Sequence, residues 1–141
     1  MEELMVFALL LYEEMISEDQ YWKKLDTLFL AHPDSEDLLY LESETDRGSA
    51  IHYLRMHMDF NVFDCVHFGR VLMARIKEYY KNHSDLKSFS EKMYSLWREL
   101  PDNMRDKEPF FTLCYADDPL SYKDEKQSRN IYENMMGYYG D

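Results

Sequence analysis

Six carboxylates lie within the thirteen residues from 34 to 46 (DSEDLLYLESETD), and no Lys or Arg lies among them. They are Asp34, Glu36, Asp37, Glu42, Glu44 and Asp46. Rows of anionic oxygens bind the guanidinium and ammonium groups of a basic protein. Tyr40 would add an aromatic anchor, since binding energy concentrates in a few aromatic and Arg contacts. These seven residues are the candidate partner-binding residues, and residues 34–46 are called the acidic segment below. A solvated helix face is the alternative interpretation of such a charge run.

The histidines and cysteines are weaker candidates for a metal or catalytic site. His52 and His57 are five residues apart, which places them about 140° apart on a helix, whereas helical zinc motifs use a spacing of four. Cys65 falls on an apolar stripe, which predicts a buried and unreactive thiol. No phosphate-binding glycine loop and no catalytic signature occurs in the sequence. We therefore expect a protein that is not an enzyme and uses no metal or other cofactor.

Composition restricts the class of partner. A chain of 141 residues with 45% hydrophobic content has enough apolar side chains for one core, which predicts a single domain over residues 1–141. The net charge of −12 exceeds the magnitude of roughly 2–8 that suits a small soluble domain. Residues 1–64 hold 15 Asp and Glu against 4 Lys and Arg. Such a charge repels phosphates and anionic headgroups, so we expect neither direct nucleic-acid binding nor membrane binding.

The long apolar run and the cysteines bear on location. Leu4–Tyr12 (LMVFALLLY) is nine residues long, too short to span a bilayer, and Glu2 and Glu3 precede it instead of basic residues. Cys65 and Cys114 lie far apart and form no C-x-x-C pair. These features predict a cytoplasmic protein with free thiols.

Helical signals recur along the chain, while strand alternation and glycine turns are rare, since there are only four Gly and four Pro. The fold prediction is all-α, a single compact bundle of about five to seven helices. The first helix, over residues 4–16, is apolar nearly all round. Ser17 and Gln20 predict a capping box at the start of the second helix, which Pro33 ends.

The acidic segment should contain a third helix. Asp34 is its predicted N-cap, and carboxylates in the first turn interact favourably with the free N–H groups of the helix start. Glu42, Glu44 and Asp46 lie beyond that turn and should gain nothing from it. The chain either breaks near Gly48 or continues there as one helix.

Two helices and a loop are expected over residues 62–109. A helix after Asn61 should bury one apolar face, on which Gly69 allows close approach of a neighbour. The residues of that face are Val62, Cys65, Val66, Gly69, Leu72, Met73, Ile76, Tyr79 and Tyr80. Ser84 and Asp85 should open a further helix, which Pro101 stops, and residues 101–109 should form a loop.

Two features near the C-terminal end complete this prediction. Residues 110–116 (FFTLCYA) suit either a short helix or a buried strand, because seven residues are too few for periodicity to decide. Ser121 with Asp124 should cap a last helix.

These observations favour binding over catalysis. We expect a non-catalytic acidic protein-binding module, an immunity-type or inhibitor protein that occludes a basic partner such as a nuclease-like toxin. Two alternatives are a nucleic-acid mimic directed at a DNA-binding protein, and a regulatory or scaffolding helical module with an apolar docking groove. That groove would lie beside Tyr132, Met135, Tyr138 and Tyr139. A third alternative is an enzyme or ligand-binding bundle that uses His52, His57 or Cys65.

Overall fold

The computed structural model describes residues 1–140, and this part of the chain is helical without a strand. The all-α prediction is confirmed. The predicted number of helices is too low, because these residues form nine α-helices and one 3-10 helix. Two of the additional helices have four residues each, which is too short for an apolar period to reveal them. The chain divides into two compact units, residues 1–64 and residues from 65 onward.

The first unit contains α1 (Glu2–Tyr12), α2 (Glu18–Ala31), α3 (Glu36–Ser43) and α4 (Arg47–His57). The second contains α5 (Cys65–Lys81), α6 (Leu86–Glu99), α7 (Asp102–Arg105), α8 (Thr112–Tyr115), the 3-10 helix Asp118–Tyr122 and α9 (Glu125–Met136). Within residues 1–140, no helix has both the length and the apolar character required to cross a membrane.

Helix α1 forms the core of the first unit. All eight residues from Leu4 to Leu11 are buried, and eight consecutive positions cover every face of a helix. The helix packs against α2 and α4. Each large apolar side chain that is fully buried contributes about 1.5–3 kcal/mol, so this one helix is a major source of the unit's stability.

Helix α2 begins as predicted. The backbone N–H of Gln20 donates to Ser17 Oγ (3.3 Å), and the backbone N–H of Ser17 donates to Gln20 Oε1 (3.0 Å). This capping box satisfies two N–H groups that the helix start leaves without intrahelical partners. The helix ends at Ala31, two residues before Pro33.

The structure decides two boundaries around the acidic segment, and the first differs from the prediction. Ser35, not Asp34, caps α3, because its Oγ accepts the backbone N–H of Leu38 (3.3 Å). The chain breaks at residues 44–46 instead of Gly48, which lies in the first turn of α4. Asp46 has an extended backbone and accepts the N–H of Ser49, so a side-chain cap, and not glycine flexibility, sets the start of α4.

Helix α5 begins three residues later than the sequence predicts. Four positions of the predicted face are buried: Gly69, Leu72, Met73 and Ile76. The prediction fails at the N-terminal end, where Val62 and Val66 are 79% and 54% exposed and Cys65 is only partly buried. Phe68 is buried instead, and its ring lies 6.0 Å from that of Phe110.

The rest of the second unit follows the predicted caps more closely than the predicted loops. Asp85 caps α6, which ends at Glu99 before Pro101, as expected. The predicted loop 101–109 contains the single turn α7, and residues 110–116 contain α8, which makes them helical. Asp124 caps α9 alone by accepting the N–H of Gln127 (3.0 Å). The expected pairing with Ser121 is wrong, because Ser121 lies in the 3-10 helix.

Substitution of Leu72 tests the orientation of α5. Leu72→Ala should lower the free energy of unfolding by about 2–5 kcal/mol, because Leu72 is completely buried. Val66→Ala is the matched control on the same helix, and its effect should stay within about 0.5 kcal/mol because Val66 is exposed. Urea denaturation followed by circular dichroism measures both. Similar losses for the two variants would contradict this orientation.

Gly69 is predicted to tolerate alanine only if Tyr139 is shortened. A Cβ atom at Gly69 would lie 2.6 Å from Cζ of Tyr139 and closer still to its hydroxyl oxygen. Gly69→Ala should therefore destabilise the wild-type protein. In a Tyr139→Ala background the same change should stabilise it by up to about 1 kcal/mol, the advantage of Ala over Gly in a helix. Stabilisation in both backgrounds, measured by urea denaturation, would show that Tyr139 does not occupy this space.

Candidate functional site

The seven predicted partner-binding residues all belong to the first unit. Asp34 lies between α2 and α3, four residues lie in α3, and Glu44 and Asp46 connect α3 to α4. The four in α3 are Glu36, Asp37, Tyr40 and Glu42. No ion pair involves a carboxylate of the acidic segment in the described part of the chain. The nearby Arg47 pairs instead with Glu18, at 3.0 Å.

An aromatic stack lies between α3 and α4. The ring of Tyr40 stacks on that of Tyr53, with centroids 4.0 Å apart and planes 14° apart. Tyr53 stacks in turn on His57, at 3.9 Å and 18°. Tyr53 and His57 are four residues apart on α4, so they share a helix face. Tyr53 was not among the predicted site residues, although its spacing from His57 is visible in the sequence.

Two carboxylates of the acidic segment orient the tyrosines of this stack. The hydroxyl of Tyr53 donates to Asp37 Oδ1 (2.8 Å), and that of Tyr40 donates to Glu44 Oε2 (3.1 Å). The hydrogen bond to Asp37, reinforced by burial and nearby negative charge, raises the pKa of Tyr53 to about 12. The hydrogen bond to Glu44 likewise raises the pKa of Tyr40. Both hydroxyls therefore remain protonated donors at neutral pH.

Glu44 and Asp46 lie beyond the first turn of α3, as expected, but they stabilise local structure elsewhere. Glu44 Oε1 accepts the backbone N–H of Asp46 (2.9 Å). Asp46 Oδ2 accepts both the N–H and the hydroxyl of Ser49, each at 2.9 Å. These two bonds hold the pKa of Asp46 below its ordinary value. The benefit comes from the start of α4, an element that the sequence did not place there.

Glu42 differs from the other carboxylates because it is directed inward. Its Oε1 is buried and has no hydrogen-bond donor, and the neighbouring side chain is Asp26 of α2. Burial is the main cause that raises the pKa of Glu42. A hydrogen bond to Asp26, possible only for the protonated form, and repulsion by the charge of Asp26 raise it further.

Asp34 and Glu36 are the outward-facing anions of the acidic segment. Both side chains are exposed, and neither forms a hydrogen bond or ion pair within residues 1–140. They are therefore the members of the predicted set whose charge is most accessible to a partner.

His57 and the two cysteines, the other groups considered for chemistry, show no arrangement for metal binding within residues 1–140. The Nδ1–H of His57 donates to the backbone carbonyl of Tyr53 (2.9 Å). No group of three His, Cys, Asp or Glu side chains in residues 1–140 is arranged to hold a metal ion. Cys65 and Cys114 are both free and partly buried, and burial raises the pKa of the Cys114 thiol.

The four residues of the alternative groove near the C-terminal end differ in exposure. Tyr132 and Met135 are buried in the second unit, and Tyr139 lies against Gly69. Tyr138 is 55% exposed. A cavity of about 200 Å³ lies beside Met136 and Tyr139, so Tyr138 and Tyr139 are the members of the set that a docking partner could reach.

Neutralising Glu42 should stabilise the protein at neutral pH. Because its folded-state pKa is raised, the stability that this group contributes is complete below the unfolded-state pKa and is lost as pH rises through the folded-state pKa. Glu42→Gln should therefore unfold at higher denaturant than wild type at pH 7, and this difference should shrink as the pH falls toward 4. Glu36→Gln is the control for charge alone, because Glu36 is exposed at the start of α3, and should show no such gain. A loss of stability for Glu42→Gln at pH 7 would contradict the inward-directed carboxylate.

Comparisons with known proteins add no relative: no protein-family model, no curated protein and no solved structure matches this chain.

Proposed function

We propose that this chain is a non-catalytic protein-binding module that captures a basic protein partner through the first unit. The binding surface consists of Asp34, Glu36, Asp37, Tyr40 and Glu44, and we call it the acidic face. The observation that carries the proposal is the stack of Tyr40, Tyr53 and His57 held beside carboxylates that have no basic partner in the described chain. Aromatic anchors beside anions are the combination that a basic protein surface recognises.

The distribution of charge supports the same proposal. The first unit holds 15 acidic against 4 basic residues, whereas residues 65–141 hold 13 against 12. The change in charge therefore coincides with the boundary between the compact units. A strong single-sign field on one unit accelerates encounter with a partner of opposite sign.

The role that fits these features best is inhibition. Proteins that act on nucleic acids carry Lys and Arg where phosphates bind, and a carboxylate-rich helix presents a comparable set of anionic oxygens. We infer that the partner is a nuclease-like toxin or another basic enzyme whose site this chain occludes, as an immunity-type protein would. The inward position of Glu42 and the capping role of Asp46 reassign two of the seven predicted residues toward supporting the surface.

Capture followed by kinetics tests this function. The chain should recover a basic protein from an extract of its source organism, and the association rate with that purified protein should fall steeply between about 0.1 M and about 1 M salt. The physical reason is that the Debye length shortens from about 10 Å to about 3 Å over this range. Addition of the chain in stoichiometric amount should also abolish the activity of the recovered protein.

Matched charge variants make the test specific. Asp34→Asn/Glu36→Gln should slow association by about tenfold or more at low salt, because both side chains are outward-facing anions. Glu91→Gln/Asp106→Asn removes the same charge from exposed positions of the second unit and should have little effect. Equal losses from both pairs, or an association rate that is independent of salt, would contradict capture by the acidic face.

A further inference from the structure

A cavity of about 180 Å³ opens beside the aromatic stack, entirely within the first unit. Tyr53, His57 and Phe63 supply its aromatic lining, and Glu2, Asp37 and Asp59 supply its carboxylates. These residues come from α1, α3, α4 and the segment that follows α4. The cavity thus combines aromatic rings and anions from separate parts of the chain.

The aromatic wall is held in place before any ligand binds. Tyr53 is stacked between Tyr40 and His57, and its hydroxyl is hydrogen bonded to Asp37. His57 is fixed by the bond from its Nδ1–H to the carbonyl of Tyr53, which leaves Nε2 as an acceptor in the neutral ring. Phe63 is 8% exposed. Both faces of the Tyr53 ring are covered in this stack, so the outer face of His57 and the ring of Phe63 are left to attract a cation, and their fixed orientation lowers the entropy lost on binding.

The charge of the lining also favours a cation. Asp37 accepts from Tyr53 through Oδ1, and Asp59 accepts the backbone N–H of Asn61 through Oδ1 (3.0 Å). A carboxylate has about four acceptor sites, so each retains capacity for a ligand. The positive group of the lining is the α-amino nitrogen of Met1, which lies 3.9 Å from Glu2 Oε1. Its charge offsets that of one of the three carboxylates in the lining, Glu2, Asp37 and Asp59.

Size and donor arrangement narrow the class of cation. A volume of about 180 Å³ is below the roughly 300–1,000 Å³ of small-molecule pockets, and a cavity of about 150 Å³ is known to hold benzene. The cavity therefore suits one planar group of that size. A metal ion is disfavoured because no three of its acidic and histidine side chains converge within the described residues.

We propose that this cavity receives the side chain of an arginine from the basic partner. A guanidinium is planar, stacks on aromatic rings and donates paired hydrogen bonds to carboxylates, whereas an ammonium is a compact and strongly hydrated charge. The inference rests on the proposed function, since it assigns one contact of the same basic protein. The arginine would stack on the face of His57 that Tyr53 leaves open and donate to Asp37 and Asp59.

A capped arginine tests the cavity without the partner. Nα-acetyl-L-arginine methylamide should shift the NMR signals of Tyr53, His57 and Phe63 and saturate with a dissociation constant of about 1 mM, as suits a ligand of this size. The corresponding lysine compound should bind more weakly. The citrulline compound, which has the same shape without the charge, should give no saturable shift.

A pair of variants separates contact from general charge. Asp59→Asn should weaken binding of the arginine compound by about fivefold or more, because it removes a charged acceptor at the rim. Asp19→Asn removes the same charge from an exposed position of α2 outside the cavity and should change the affinity by less than about twofold. Equal binding of the citrulline compound, or equal effects of the two variants, would overturn the assignment.

The outcomes also distinguish this inference from the proposed function. If capture of a basic protein depends on Asp34 and Glu36 but the arginine compound does not shift the cavity signals, the cavity assignment fails and the proposed function stands. If the compound binds as expected but no basic protein is captured, the cavity assignment stands and the proposed function fails.

Discussion

The burial of residues 4–11 of α1 is the constraint on which the first unit depends. Eight consecutive apolar side chains, Leu4–Leu11, occupy its interior and are covered on every side. Helices α2 and α4 pack on α1, and α3 packs on α2. Most of their apolar residues are turned inward, although Leu30, Leu39 and Met56 are exposed. The carboxylates of this 64-residue unit therefore lie close together on a small surface. A high density of negative surface charge follows directly from the way in which this core is built.

Within residues 1–140, hydrogen bonds and not ion pairs hold the carboxylates of the acidic segment in place. Tyr40 and Tyr53 donate to Glu44 and Asp37, and Ser49 donates twice to Asp46. Donation from neutral groups stabilises a carboxylate without cancelling its charge. The result is a surface on which anions are fixed in position yet remain available to an external cation. The cavity beside Tyr53 uses the same arrangement, since Asp37 both orients the ring and lines the space next to it.

The second unit is organised differently. Its charges nearly balance, and its helices α5, α6, α8 and α9 pack around large side chains such as Phe68, Phe89 and Tyr132. The absence of a side chain at Gly69 leaves space that the ring of Tyr139 occupies. Arg70 lies beside the same tyrosine, with its guanidinium carbon 5.4 Å from the ring centroid. These contacts give the residues after α9 a structural role.

The sequence by itself determined the helical class, the buried α1, the capping box of Ser17 and Gln20, and the concentration of charge in the first half. Each follows from local chemistry: a continuous apolar run, a cap at a fixed spacing, or a count of charges. Boundaries that depend on a choice between adjacent caps, such as Asp34 against Ser35, were missed because both residues can accept the same N–H bonds. Only the tertiary structure decided that Glu42 points inward, that Tyr53 stacks between Tyr40 and His57, and that Asp37 and Asp59 line one cavity. These features arise from the packing of α2 and α4 on α1 and of α3 on α2, and the packing of separate helices leaves no periodic signal within any one of them.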